Sequence, residues 1–142
     1  PKLFRGIDVN LLPSKEIAKE TKVDKKTHQQ IELLKKYMEN EEPFLNPSLT
    51  IRNLAQQIKL PMRDLSVLIN QNLNQHFFDF VNEYRVNKAK EILKNPSKIE
   101  FTVLEILYEV GFNSKSSFNT AFKKHTGTTP TQFRLLKIKK LT

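Results

Sequence analysis

The chain has 142 residues, 38% hydrophobic and 27% charged, and 24 Lys and Arg against 15 Asp and Glu give it a net charge of +9. That length suits one ordinary domain or two very small ones sharing a core, and the charge favours a polyanionic partner, nucleic acid first and an anionic membrane surface second. Without cysteine there are no disulfides or thiolate metal sites, no apolar run approaches the ~20 residues of a membrane span, and no signal peptide opens the chain.

Residues 1–23 have no sustained hydrophobic period and are interrupted by Gly6 and Pro13. They read as an arm or linker with apolar anchors at Leu3, Phe4, Ile7, Leu11 and Leu12. Because residue 1 is Pro and not Met, the chain is expected to be a piece of a longer protein. A sensor, a membrane anchor or a homodimer surface would then lie upstream. Residues 24–47 read as an amphipathic helix and its connection. Ile31, Leu34 and Met38 fall at i, i+3 and i+7, with Tyr37 widening the stripe, before Pro43 and Pro47 bracket "PFLNP". This helix either packs on the element that follows it or forms a seam with a partner chain.

From residue 48 to 136 the pattern is helix after helix, followed by a basic tail over 137–142. Thr50 can cap "TIRNLAQQI". "TVLE" (102–105) is a capping box, and "TPTQ" (129–132) reads as another with Pro130 at the first helical position. Between them a long periodic stretch from about Gln75 to Lys94 buries Phe77, Phe80, Val81, Tyr84, Ala89, Ile92 and Leu93. No alternating strand pattern appears, so the expected fold class is all-α.

An internal repeat organises these helices. Leu54, Ala55 and Ile58 match Ile106, Leu107 and Val110 at an offset of 52, and Leu65, Leu68 and Ile69 match Phe118, Ala121 and Phe122 at 53. Each copy is a helix, a turn and a second helix. The whole is therefore two helix-turn-helix units joined by a long linker helix, with an extra N-terminal helix. Gly111 suits the second turn because glycine reaches positive φ without steric cost. Lys59 holds the matching place in the first turn, which must accept strain or a different shape. Asn113 or Ser114 should cap the second unit's second helix, and Phe112 and Phe118 should brace its turn.

With Phe118, Ala121 and Phe122 turned inward, Lys115, Ser116, Asn119 and Thr120 face outward. The same projection of the first copy exposes Met62, Arg63, Ser66, Val67 and Asn70. Lys reads guanine, Asn reads adenine and hydroxyls serve either base edges or phosphates; Lys123 and Lys124 add phosphate contacts. A linker helix of ~20 residues spans ~30 Å, close to the ~34 Å between successive major grooves on one face of DNA. One chain can thus address two adjacent grooves. Arg85 and Arg134 read as helix caps or partners of acids. His28, His76 and His125 have no ligand spacing, and no nucleophile, base and orienting group cluster. No metal, cofactor or catalysis is expected.

"EVGFNSKSSFNTAFKKHTGTTPTQFR" (109–134) resembles the C-terminal signature of the AraC/XylS family of transcriptional regulators. Its landmarks are Gly111, Phe112, Phe122, Lys123, Lys124, Gly127, Pro130, Phe133 and Arg134. "FDFVNEYRVNKAKEIL" is similar to the family's linker helix, with Arg85, Ala89 and Leu93 in their usual places. The resemblance, over about residues 50–134, implies a seven-helix domain of two helix-turn-helix units. Such domains bind double-stranded promoter DNA, usually activate transcription and meet RNA polymerase in the cytoplasm. It also implies DNA contact at Met62, Arg63, Ser66 and Val67, and at Lys115, Ser116, Asn119 and Thr120. Departures from the pattern are Val67 and Thr120, where Arg is common, Asn74, where Gly is common, and Pro61, where Ser is a common cap. "LSVLIN" with "GFNSKSSFN" resembles a subgroup in which this end follows membrane-spanning or ligand-sensing segments. The rival reading is a helical protein-interaction module that keeps the fold without reading DNA. RNA binding lacks an exposed aromatic platform.

Overall fold

A computed structural model describes residues 14–139, with side chains described from Asp24 onward. The proposed anchors Leu3, Phe4, Ile7, Leu11 and Leu12 lie outside the described residues. Seven α-helices and no strand occur among the described residues, which is the expected all-α class. They are α1 (Ser14–Glu41), α2 (Ile51–Ile58), α3 (Met62–Val67), α4 (Phe77–Leu93), α5 (Val103–Glu109), α6 (Lys115–Thr126) and α7 (Pro130–Lys139).

Two boundaries differ from the sequence reading. α1 begins at Ser14, ten residues before the expected start at Asp24, so part of the presumed arm is helical. α7 runs to Lys139 and so takes in the first residues of the presumed tail; Lys137 Nζ lies 5.4 Å from the Phe133 ring centroid. The chain divides into compact units at Pro1–Lys36 and Tyr37–Thr142. In the first, Leu34 is fully buried. In the second, Met38 is fully buried and Tyr37 donates its hydroxyl to Gln57 Oε1 of α2 at 2.7 Å. The last turn of α1 thus belongs with the first helix-turn-helix unit.

The repeat is real in three dimensions: α2 and α5 start at Ile51 and Val103, α3 and α6 at Met62 and Lys115. Both first helices open on capping boxes, Thr50 with Asn53 and Thr102 with Glu105. Both end alike, since Leu60 N–H bonds to Ala55 O at 3.0 Å and Phe112 N–H to Leu107 O at 2.9 Å. This six-to-one closure needs a left-handed residue just inside it. Lys59 supplies it at φ 58° and Gly111 at φ 103°. The first turn therefore keeps the shape and accepts the strain of a side chain at positive φ.

α3 continues through a π-helical turn, Leu68–Asn72, which sequence periodicity did not reveal. Asn74 then turns the chain at φ 54°, in the left-handed region where the related pattern commonly has glycine. α4 is the linker helix. Phe80, Val81, Ala89 and Leu93 are buried on it as expected, and so are Arg85 and Val86; Phe77, Tyr84 and Ile92 are only half-buried. Its C-terminal half shares a core with Ile106, Leu107, Val110, Phe118, Ala121 and Phe122. Phe112, Phe118, Phe122 and Phe133 form a chain of ring contacts at 5.1, 5.6 and 5.4 Å. At α7, Thr129 Oγ1 accepts from Gln132 N–H at 3.2 Å, but Gln132 Oε1 accepts from the Thr128 hydroxyl. The cap is present, and its reciprocal half is diverted to Thr128.

Candidate nucleic-acid interface

Two outward-facing helices carry the candidate residues. On α6, Ser114 caps the N-terminus through its hydroxyl, which accepts from Ser117 N–H at 3.1 Å. Of the two candidate caps, Asn113 and Ser114, the second serves. Phe118, Ala121 and Phe122 face the core, while Lys115, Ser116, Asn119, Thr120, Lys123 and Lys124 are all exposed. No acidic residue lies in the first turn. Lys115 therefore adds its charge to the positive end of the helix dipole, an arrangement that attracts an anion.

Lys115 and Lys123 have no ion-pair partner among the described residues, whereas Lys124 Nζ lies 2.8 Å from Asp79 Oδ1 of α4. That hydrogen bond, together with the lysine's charge, holds the Asp79 carboxyl below its ordinary value. One of the two expected phosphate-contacting lysines is thus already neutralised. The partner, 45 residues away in sequence, carried no local signal.

On α3 the projection holds for Met62, Arg63, Val67 and Asn70, which are exposed, while Ser66 is half-buried. Ser66 Oγ accepts from Asn70 Nδ2 at 3.1 Å, a bond one helical turn long that ties the two side chains together. Pro61 stands at the N-cap without a side-chain bond, and Asp64 is in the first turn. An acid there opposes a phosphate at the helix end. Asp64 was visible in "MRD" and is the feature of this face that the helical projection passed over.

Arg85 and Arg134 cap backbone carbonyls and meet no acid among the described residues. Arg85 Nε donates to Phe44 O at 2.7 Å and Nη2 to Asn46 O at 2.9 Å, and the guanidinium lies 5.6 Å from the Phe112 ring centroid. Arg134 Nη1 donates to Phe101 O at 2.6 Å, and Nη2 lies 3.4 Å from Lys98 O. Gly111 has a second requirement besides its φ: a Cβ there would sit 2.3 Å from Phe44 O and 2.9 Å from Arg85 Nε. Most of the phenylalanines lie in the core, whereas Phe78, Phe101 and Tyr108 are exposed. They lie away from α3 and α6 in sequence. Among the described residues no helix is long and apolar enough to cross a membrane.

Comparison with known proteins adds an independent finding. A family model described as "Helix-turn-helix domain" matches residues 54–135. An uncharacterised HTH-type transcriptional regulator from Pseudoalteromonas carrageenovora is 36% identical over 73 residues, covering 51% of this chain and 39% of that one. The melibiose operon regulatory protein of Escherichia coli (strain K12) is 27% identical over 89 residues, covering 63% of this chain and 28% of that one. The chain thus spans well under half the length of these curated relatives. The C-terminal domain of the two-component response regulator yesN from Fusobacterium nucleatum superposes with a TM-score of 0.61 at 30% identity, covering 75% of this chain and 98% of that one.

Proposed function

The chain belongs to the AraC/XylS family of helix-turn-helix transcription regulators, and from that premise we propose that it reads specific promoter sequences as the DNA-binding part of an activator. It is a DNA-binding regulator and not an enzyme. The observation that carries sequence-specific reading is the outward half of α6: an unpaired Lys115 at a positive helix end, beside Ser116, Asn119 and Thr120, over buried Phe118 and Phe122. Set into a major groove, such a helix offers Lys115 to guanine O6 and N7, Asn119 to an adenine edge, and hydroxyls to bases or phosphates. Lys123 meets the backbone, which sets register and salt dependence without reading sequence.

In this reading α3 occupies the adjacent groove with less discrimination. Arg63 contacts a base or phosphate, Met62 and Val67 touch thymine methyls, and Ser66 and Asn70 act as a pre-bonded pair. RNA polymerase contact, homodimerisation through segments upstream of those described, and a cytoplasmic setting complete the proposal. A longer protein carrying membrane or sensor segments is compatible with it.

Selection of bound sites from a random duplex library tests it. A recurring sequence whose most constrained positions change identity with Lys115→Ala is the expected result. Promoter and scrambled duplexes binding equally at physiological salt would overturn specific reading. It would favour the interaction module, to which Val67, Thr120 and Asp64 lend some support.

A further inference from the structure

The two copies of the repeat also differ on the outer faces of their first helices. On α2 that face presents Arg52, Asn53, Gln56 and Gln57; on α5 the matching positions are Leu104, Glu105, Tyr108 and Glu109. Leu104 and Tyr108, one helical turn apart on one side of α5, are 49% and 56% exposed. Ile99 and Phe101, in the turn just before α5, are 52% and 46% exposed. Phe101 matches Leu49, which is 2% exposed.

Leu49 lies in the same compact unit as the last turn of α1. There Tyr37 bonds to Gln57, the counterpart of Glu109, and Met38 is fully buried. The first copy thus has a helix end against this face, whereas no described helix shields Leu104 and Tyr108 in the second.

Charge distinguishes the faces in the same way. Residues 47–60 contain Arg52 and Lys59 and no acid, and the residues of α1 beside them, Tyr37–Glu41, are acidic. Residues 99–112 contain Glu100, Glu105 and Glu109 and no base, in a chain of net charge +9. An apolar strip edged by acids repels phosphates and suits a cationic helix. The surface is held in shape: Asn95 caps the short turn Pro96–Lys98, and Arg134 donates to Phe101 O. Beside it lies a cleft of about 450 Å³, walled by Glu91, Ile92, Phe101, Ile106 and Glu109 together with Lys88, Asn95 and Lys98.

We propose that the outer face of α5, with Ile99, Phe101, Leu104 and Tyr108 between Glu100 and Glu109, docks a basic amphipathic helix of another protein. The site stands apart from the residues assigned to DNA. Its failure and the failure of promoter reading are therefore read separately, one by peptide binding and one by DNA binding.

The test uses the whole chain and a synthetic amphipathic helical peptide with leucines on one face and lysines and arginines elsewhere. A twin peptide carries glutamates in place of the basic residues. NMR titration is expected to show shifts confined to residues 99–109 and the facing end of α4. The acidic twin should bind about ten-fold more weakly or worse. Leu104→Arg with Tyr108→Gln installs the residues of the first copy. It should weaken the basic peptide about ten-fold while promoter affinity is unchanged. Glu100→Lys with Glu109→Lys should do the same. Peptide binding that survives Leu104→Arg/Tyr108→Gln, or equal binding of both peptides, overturns the proposal. So does a fall in promoter affinity with that variant, which would place the face against DNA. Sedimentation showing that the wild type self-associates and the variant does not would make the occupant a second copy of this chain, and would overturn the assignment to another protein.

Discussion

Gly111 and Gly127 both have positive φ, 103° and 79°, but their surroundings separate them. A Cβ at Gly127 meets nothing within 4 Å, whereas one at Gly111 strikes the Phe44 carbonyl. Gly127→Ala is expected to cost about 1 kcal/mol, the left-handed penalty alone. Gly111→Ala should cost about 3 kcal/mol, because backbone must also move; urea unfolding of both variants measures the difference. Among the lysines, the structure separates two neighbours that sequence leaves alike. Lys123→Ala should lower the log–log salt slope of promoter binding by about 0.9, one phosphate contact, whereas Lys124→Ala should barely change it. Asp79→Asn should raise the slope by a similar amount by freeing Lys124, and equal slopes for all three variants would refute the distinction. The Lys124–Asp79 pair itself adds little stability, since Lys124 is largely exposed. Because the folded carboxyl titrates below its ordinary value, that contribution is present at neutral pH and is lost as pH falls through the folded value.

At the scale of elements, caps and stripes explain why each helix begins where it does, but one side chain holds the elements in register. Arg85, 6% exposed, satisfies carbonyls at Phe44 and Asn46 and also bonds Asn82 Oδ1 at 3.0 Å. Burial pulls its pKa down, yet the guanidinium stays charged. The ion pair of Lys88 with Glu42 secures the same connection from the other side. Arg85→Met should destabilise the fold by about 3 kcal/mol, because a buried carbonyl loses its donor and is not replaced by water. Arg85→Lys should recover less than half, since an ammonium cannot reproduce the planar fork. A shift in the urea midpoint equivalent to under about 1 kcal/mol for Arg85→Met would show that Phe44 O finds another partner.

Across the two helix-turn-helix units, α4 is the element that joins α3 to α6. Its 17 residues span about 25 Å, shorter than the ~30 Å expected from the longer sequence estimate. A rigid spacer of fixed length makes a prediction that a flexible linker would not. Inserting about 5 base pairs between the two halves of a selected site should abolish specific binding, and inserting about 10 should fail to restore it. Binding restored by the longer insertion, in an electrophoretic shift assay, would mean that the units move independently. The sequence by itself determined the all-α class, the repeat, the Thr50 cap, the Thr102–Glu105 capping box, the buried stripes of α3 and α6 and the faces they leave outward. Apart from the repeat, all of these depend on spacing within a turn or two of helix. Only the tertiary structure decided that Lys124 is neutralised, that Gly111 must admit a carbonyl, that Lys59 takes a left-handed turn and that Arg85 caps a loop 41 residues away. Those outcomes follow from which distant groups the packed helices bring within hydrogen-bond reach, and local periodicity carries no record of that.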